Sequence, residues 1–286
     1  MDFIGNSKFE FIEGDIRNLD TCVNACKGMD GISQQAALGL VPRSIKDPLI
    51  TLDVNVNGFI NMLEAAKANN INRMVYASSS SVFGDLQVSP KVEHTVGKVL
   101  STYAATKITY KLYAEAYAKN YNMSICGFKY FNVFGPKQYP EGPYAAVISL
   151  FIKAALTHTA PLINGDGSLT RDFTFIENAL HANDLALVTD EPKAINHVYN
   201  VACGERLTLN EIVSFLREIT GKNLEATYGP LRSGDVRHSL ADIEKIESHL
   251  GYKPKVYFYE GLKKVYNWYE STKVPNASGE TAPSIS

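Results

Sequence analysis

Arg73–Asp85 reads RMVYASSSSVFGD, a short apolar and aromatic run that delivers four hydroxyls, Ser78 to Ser81, to its carboxyl end. Such a run, bounded by small polar residues, is the pattern of a strand that empties into a loop. Outward toward the N-terminus lie a helical pattern near Gly58 to Ala68, a run QQAAL at 34–38, a helical pattern near Leu19 to Cys26, and FEFIEGD at 9–15. In the other direction a helix carrying Tyr103 runs to about Ala118, followed by the strand pattern SICGFKYFNVFG at 124–135. Strand and helix alternating in this way close right-handed crossovers, and therefore a parallel sheet covered on both faces. The predicted fold class is α/β, with a doubly wound, Rossmann-like parallel sheet whose ligand crevice lies at the carboxyl ends of its strands.

Beyond Gly135 the alternation loosens. GPKQYPEGPYAAV reads as a Pro/Gly-rich loop, INGDGSLTRDFTFI as strand, turn and strand, and HVYNVA as a further strand, with helices near Leu209 to Ile219 and Leu262 to Tyr269. The expected organisation is a dinucleotide-binding domain over 1–135, a smaller substrate-binding lobe over 136–272 and a loose polar tail over 273–286.

Composition narrows the function classes. At 286 residues and 45% hydrophobic, the chain has material for a full core, and a formal net charge of -2 does not suit a broadly basic nucleic-acid surface. The four cysteines, Cys22, Cys26, Cys126 and Cys203, show no Cys-x-x-Cys spacing, and the six histidines form no His-x-x-x-His pair. Neither a disulfide framework nor a metal site is expected. With no signal-peptide pattern and no apolar run of spanning length, the expected location is the cytoplasm, with no membrane or nucleic-acid partner.

STYAATK at 101–107 sets Tyr103 four residues before Lys107, on one helix face. The spacing alone decides nothing, since Tyr259 with Lys263 and Tyr269 with Lys273 repeat it. What separates the first pair is the serine run 24 residues upstream, which can converge with it at a strand end.

Eight motifs in order, EGDIRN, QAALGLVPRSIKDP, NVNGFINMLEAA, YASSSSVFGD, STYAATK, FKYFNVFGPKQ, NGDGSLTRDFTFIEN and RSGDVRHSLAD, resemble the extended short-chain dehydrogenase/reductase family, and within it the UDP-N-acetylhexosamine 4-epimerases. The family opens on a strand, a Gly-x-x-Gly-x-x-Gly turn and a helix. The resemblance here starts beyond that unit, at about Phe9, so it implies an N-terminally truncated sheet.

The resemblance implies bound NAD and a UDP-sugar. It assigns catalysis to Ser79, Tyr103 and Lys107, with Ser80 and Ser81 as near alternatives to Ser79 at the sugar. Asp15 and Ile16 would embrace the adenine, although Asp15 also suits a cap for the following helix. Ala36, Ala37 and Leu38 would run beside the cofactor phosphates, and Tyr130 and Asn132 would touch the nicotinamide side and the substrate. Tyr144, Ala145, Ala146 and Val147 match a uridine-side loop, Arg171 and Arg232 a diphosphate clamp, and Asp235 a ribose contact. Each arginine equally suits a surface ion pair. Ser239 stands where enzymes restricted to non-acetylated hexoses carry a bulky tyrosine, and its small size implies room for a 2-acetamido group.

The resemblance further implies a homodimer through the helices of Gly58 to Ala68 and of Tyr103, with Ile60, Leu63, Leu112 and Tyr113 as apolar positions; the same stripes suit an intramolecular core. A reading from another class is a non-catalytic sugar-nucleotide-binding or subunit-interaction module built on the C-terminal lobe.

Overall fold

The computed structural model describes residues 5–138, 146–231 and 238–272. In chain order its elements begin with α1 (Leu19–Ala25), β1 (Gly31–Gln34), α2 (Val41–Lys46), α3 (Pro48–Leu52), a π turn (Asp53–Asn57) and α4 (Gly58–Ala68). Next come β2 (Arg73–Ala77), a 3-10 turn (Ser80–Phe83), α5 (Thr102–Tyr121), β3 (Ser124–Tyr130) and β4 (Val133–Phe134). The second half holds α6 (Val147–Thr157), β5 (Leu162–Asn164), β6 (Thr170–Arg171), β7 (Thr174–Phe175), α7 (Ile176–Val188) and β8 (Val198–Val201). It ends with β9 (Leu207–Thr208), α8 (Leu209–Thr220), β10 (Thr227–Gly229), α9 (Glu244–Leu250) and α10 (Phe258–Ser271).

The central sheet has the order β1-β2-β3-β8, and β2 runs parallel to both β1 and β3. Met74, Val75 and Tyr76 of β2 are all buried, the unbroken apolar run of a strand covered on both faces. The chain divides into two compact units, one of Met1–Gly84, Val99–Phe128 and Ala186–Val198, the other of Asp85–Lys98, Lys129–Leu185 and Tyr199–Ser286. The units interleave along the sequence, where the sequence reading draws contiguous stretches.

In the first unit the core gathers Phe59, Leu63, Met74, Tyr76, Tyr110 and Ile125 from α4, β2, α5 and β3. Gly127 lets β3 pass under Tyr76, because a Cβ there would lie 2.4 Å from the Tyr76 hydroxyl. In the second unit α6, α8 and α10 contribute Phe151, Ile152, Leu216, Leu262 and Val265 to a separate core with Phe134 and Phe175. Around it lie three short pairings: β5 with β10 and β4 with β7, both parallel, and β6 with β9, antiparallel.

Two expectations change. Phe9–Asp15 forms no strand, since a strand exists only by pairing and β1 has no described neighbour but β2. The strand placed at QQAAL falls earlier, at Gly31–Gln34, where alternate residues Ile32 and Gln34 are buried. The stretch INGDGSLTRDFTFI is strand, turn and strand as expected, its strands β5 and β6 pairing with β10 and β9. No described helix is long and apolar enough to cross a membrane.

Candidate active site

β2 ends at Ala77, and Ser79 caps the 3-10 turn that follows, its Oγ accepting from the Ser81 amide at 3.2 Å. Gly84 ends that turn at a φ of +55°. α5 starts cleanly because the Ser101 side chain accepts from the Ala104 amide at 3.1 Å, which fixes the first turn that bears Tyr103. The beginning of α5 is also pinned by Ser44 of α2, whose hydroxyl accepts from the Tyr103 amide at 3.0 Å and whose carbonyl accepts from Thr102 Oγ1 at 2.6 Å.

These supports bring together the three residues singled out in the sequence. The Tyr103 hydroxyl faces the Ser79 side chain closely enough to feel it. Lys107 is 2% exposed, and its Nζ donates to the Ala77 carbonyl at 2.7 Å and lies 5.9 Å from the centre of the Tyr103 ring. Of the four serines, Ser78 is buried, Ser81 Oγ is buried without a partner, and Ser79 is the one that faces the tyrosine. The control tyrosines differ: Tyr259 donates to Glu218 at 2.8 Å on the surface, and Tyr269 packs into the second unit's core.

Burial raises the Tyr103 hydroxyl above its ordinary value, partly offset by the facing Ser79 side chain. It also pushes the Lys107 ammonium down to about 7. Both shifts oppose charge separation, so the isolated pair is not an activated phenolate; a further positive charge close by would favour the phenolate.

Asn55 was not singled out in the sequence. Fully buried in the π turn, it accepts from the Leu38 amide at 2.7 Å, donates to the Leu38 carbonyl at 3.1 Å, and donates to Thr106 Oγ1 at 3.1 Å. One side chain thus ties the Ala36–Leu38 segment to the helix of Tyr103. Its signal, an Asn opening the NVNG stretch, carries no periodicity, and π turns recur at functional sites. Ile16 packs on Gly58, where a Cβ would lie 2.5 Å from Ile16 Cδ1. Asp15 does not cap α1, since that role belongs to Asn18. Instead its carboxylate is held down to about 2 by the Arg17 guanidinium, which donates to it at 2.6 and 2.9 Å.

In the second unit, Asn132 has a φ of +37° and donates from Nδ2 to the Asp172 carbonyl at 2.7 Å. Tyr130 accepts at its hydroxyl from Asn183 at 2.7 Å. Arg171, on β6, donates to the Thr170 carbonyl at 2.9 Å, and the Ser239 amide donates to the same carbonyl at 3.1 Å. The side chain of Asp172, fully buried, accepts from the amides of Cys203 and Ala241, both at 3.2 Å. Asn132, Arg171 and Ser239 thus each donate to a backbone carbonyl of Thr170 or Asp172. Ala146 and Val147 open α6. Tyr144, Ala145, Arg232 and Asp235 lie outside the described residues. Among the described residues no group of His, Cys, Asp and Glu could hold a metal ion.

Residues 3–265 match the family model described as GDP-mannose 4,6 dehydratase. A protein of Methanocaldococcus jannaschii described as a putative UDP-glucose 4-epimerase is 36% identical, over 92% of this chain and 85% of that protein. Among solved structures, a UDP-N-acetylglucosamine 4-epimerase of Methanobrevibacter ruminantium in complex with UDP-N-acetylmuramic acid superposes with a TM-score of 0.89 at 33% identity, over 94% of this chain and 85% of the other. A UDP-glucuronic acid 4-epimerase of Bacillus cereus in complex with UDP-glucuronic acid and NAD gives 0.86 at 30%, over 95% and 84%. A match over nearly the whole chain places this chain in the GDP-mannose 4,6 dehydratase family, alongside relatives that are predominantly sugar-nucleotide epimerases.

Proposed function

We infer that this chain is an NAD-dependent UDP-sugar 4-epimerase whose substrate pair is UDP-N-acetylglucosamine and UDP-N-acetylgalactosamine. The observation that carries the reading is the Ser79–Tyr103–Lys107 cluster at the carboxyl end of β2, in a family whose relatives are described as UDP-sugar 4-epimerases.

The donor set suits the nicotinamide end of NAD. Lys107 Nζ spends one of its three donors on Ala77 and keeps others for ribose hydroxyls. Asp15 and Ile16 would hold the adenine and Ala36 to Leu38 the phosphate side. Tyr130 would complete the nicotinamide side. NAD, when bound, supplies the acceptor and then the donor of the C4 hydride, and its cationic ring favours the phenolate. Tyr103 Oη takes the C4 hydroxyl proton and returns it, as general base and then general acid. Ser79 Oγ keeps the C4 oxygen within reach of that hydroxyl. Arg171, with Asn132, Ala146, Val147 and Ser239, would hold the UDP-sugar so that the transient 4-keto sugar can turn over and present its other face.

The small Ser239 side chain supports the acetylated pair. Incubation of UDP-N-acetylglucosamine with the protein and NAD is expected to yield UDP-N-acetylgalactosamine by chromatography, with a kcat/KM above that for UDP-glucose. Conversion of UDP-glucose alone would overturn the substrate assignment, and conversion of neither would overturn the activity.

The same reading includes a homodimer. Leu63 is fully buried within its own unit and takes no part, whereas Leu112 and Tyr113 of α5 stand 58% and 39% exposed and would meet a second copy. Sedimentation at micromolar concentration is expected to give twice the chain mass; a monomer would remove the dimer.

A further inference from the structure

Tyr110 follows Lys107 by three residues and Tyr103 by seven, so all three share a face of α5. It is 1% exposed. Its ring stacks on Phe59 of α4, centres 4.1 Å apart and planes 3° from parallel, and meets Tyr76 of β2 edge-on at 5.9 Å. Phe59 and Tyr76 therefore leave the Tyr110 ring one orientation.

Lys107 Nζ lies 4.3 Å from the centre of that ring, against 5.9 Å from Tyr103. That is close contact for an ammonium and an aromatic ring, and such contacts strengthen where water is excluded. The Tyr110 hydroxyl is buried with no hydrogen-bond partner, so the ring, rather than its polar tip, is what the position uses. The titratable groups facing the ammonium are the phenols of Tyr103 and Tyr110 on its own helix, with Tyr76 of β2 behind them; its one hydrogen-bond acceptor is the Ala77 carbonyl.

We propose that Tyr110 is a positioning residue for Lys107, its ring holding the buried ammonium against the Ala77 carbonyl at the level of Tyr103. The consequence is large because burial has already pushed this lysine down to about 7. Losing the ring's attraction would shift Lys107 further toward its neutral form, where the site needs a cation. The catalytic part of this consequence rests on the function inferred above, but the contact itself does not.

The test reads Lys107 directly, with neither cofactor nor sugar present. Side-chain NMR of isotopically labelled lysine follows its titration, the signal being assigned by its loss in Lys107→Met. Position 110 is varied through Tyr110→Phe and then mono-, di- and trifluorinated phenylalanine, which keep the ring's shape and drain its face of electron density. Tyr110→Phe is expected to titrate with the wild type, and the midpoint to fall by about one pH unit across the fluorinated series. A flat series would overturn the proposal. So would a fall already complete in Tyr110→Phe, which would assign the effect to the hydroxyl. In the unsubstituted protein the Lys107 Hε protons are expected to show an upfield ring-current shift, and its absence would overturn the contact without any variant. A failed epimerase assay would leave all these readings intact, so the two failures are distinguishable.

Discussion

Tyr103→Phe is expected to lower epimerase turnover by ~10²–10⁴-fold, the usual contribution of a positioned acid or base, while leaving UDP-sugar affinity and thermal midpoint close to wild type. The change removes one hydroxyl, and the neighbouring Ser79 Oγ still accepts from the Ser81 amide, so Ser79 is not left unpaired. Tyr259→Phe supplies the control, since it has the same Tyr/Lys spacing but donates to Glu218 on the surface. Turnover should not change there. Stopped assays with NAD and saturating sugar measure both. Equal turnover in Tyr103→Phe and wild type would refute the catalytic role. A fall in thermal midpoint matching the loss of turnover would instead make the tyrosine a packing residue.

Asp172→Ala is expected to cost about 2–4 kcal/mol of stability, because it strips the acceptor from the backbone amides of buried Cys203 and Ala241, each worth about 1–3 kcal/mol when left unpaired. Asp172→Asn keeps one acceptor oxygen and should lose about half as much. The loss depends on pH in a defined direction. Burial, reinforced by Glu205, pushes the Asp172 carboxyl up to about 7 despite the amides that favour its ionised form. A carboxyl raised on folding binds its proton more tightly in the native state, so its contribution is full below about pH 4 and falls as pH rises toward 7. Denaturant titrations should therefore find a larger gap between wild type and Asp172→Ala at pH 5 than at pH 8. A gap that grew with pH would reverse the assignment.

The cluster at Tyr103 was legible because its parts are local: a serine run at a strand end and a tyrosine one turn from a lysine. α4 was legible to the residue because an apolar stripe has a period. Asn55 and Asp172 were not legible as supports, although both sit inside motifs that were singled out. Their work is to satisfy backbone groups distant in sequence, Leu38 for one and Cys203 and Ala241 for the other, and no spacing announces such partners. The strand expected at Phe9–Asp15 failed for a related reason. Its residues have strand propensity, but propensity supplies no neighbour, and a ladder needs one. Tyr110 was missed because an aromatic on an apolar face reads as core. It is core, and the ammonium on its ring is visible only in three dimensions.

The interleaved architecture bears on how such a protein can change its specificity. The chain passes between its two units five times, at 84/85, 98/99, 128/129, 185/186 and 198/199. Neither unit is therefore a cassette, and a genetic exchange with a single junction delivers a mosaic of both instead of one intact replacement. A single-junction exchange is therefore a poor way to swap either unit, whereas a point substitution alters one unit and leaves the other as it was.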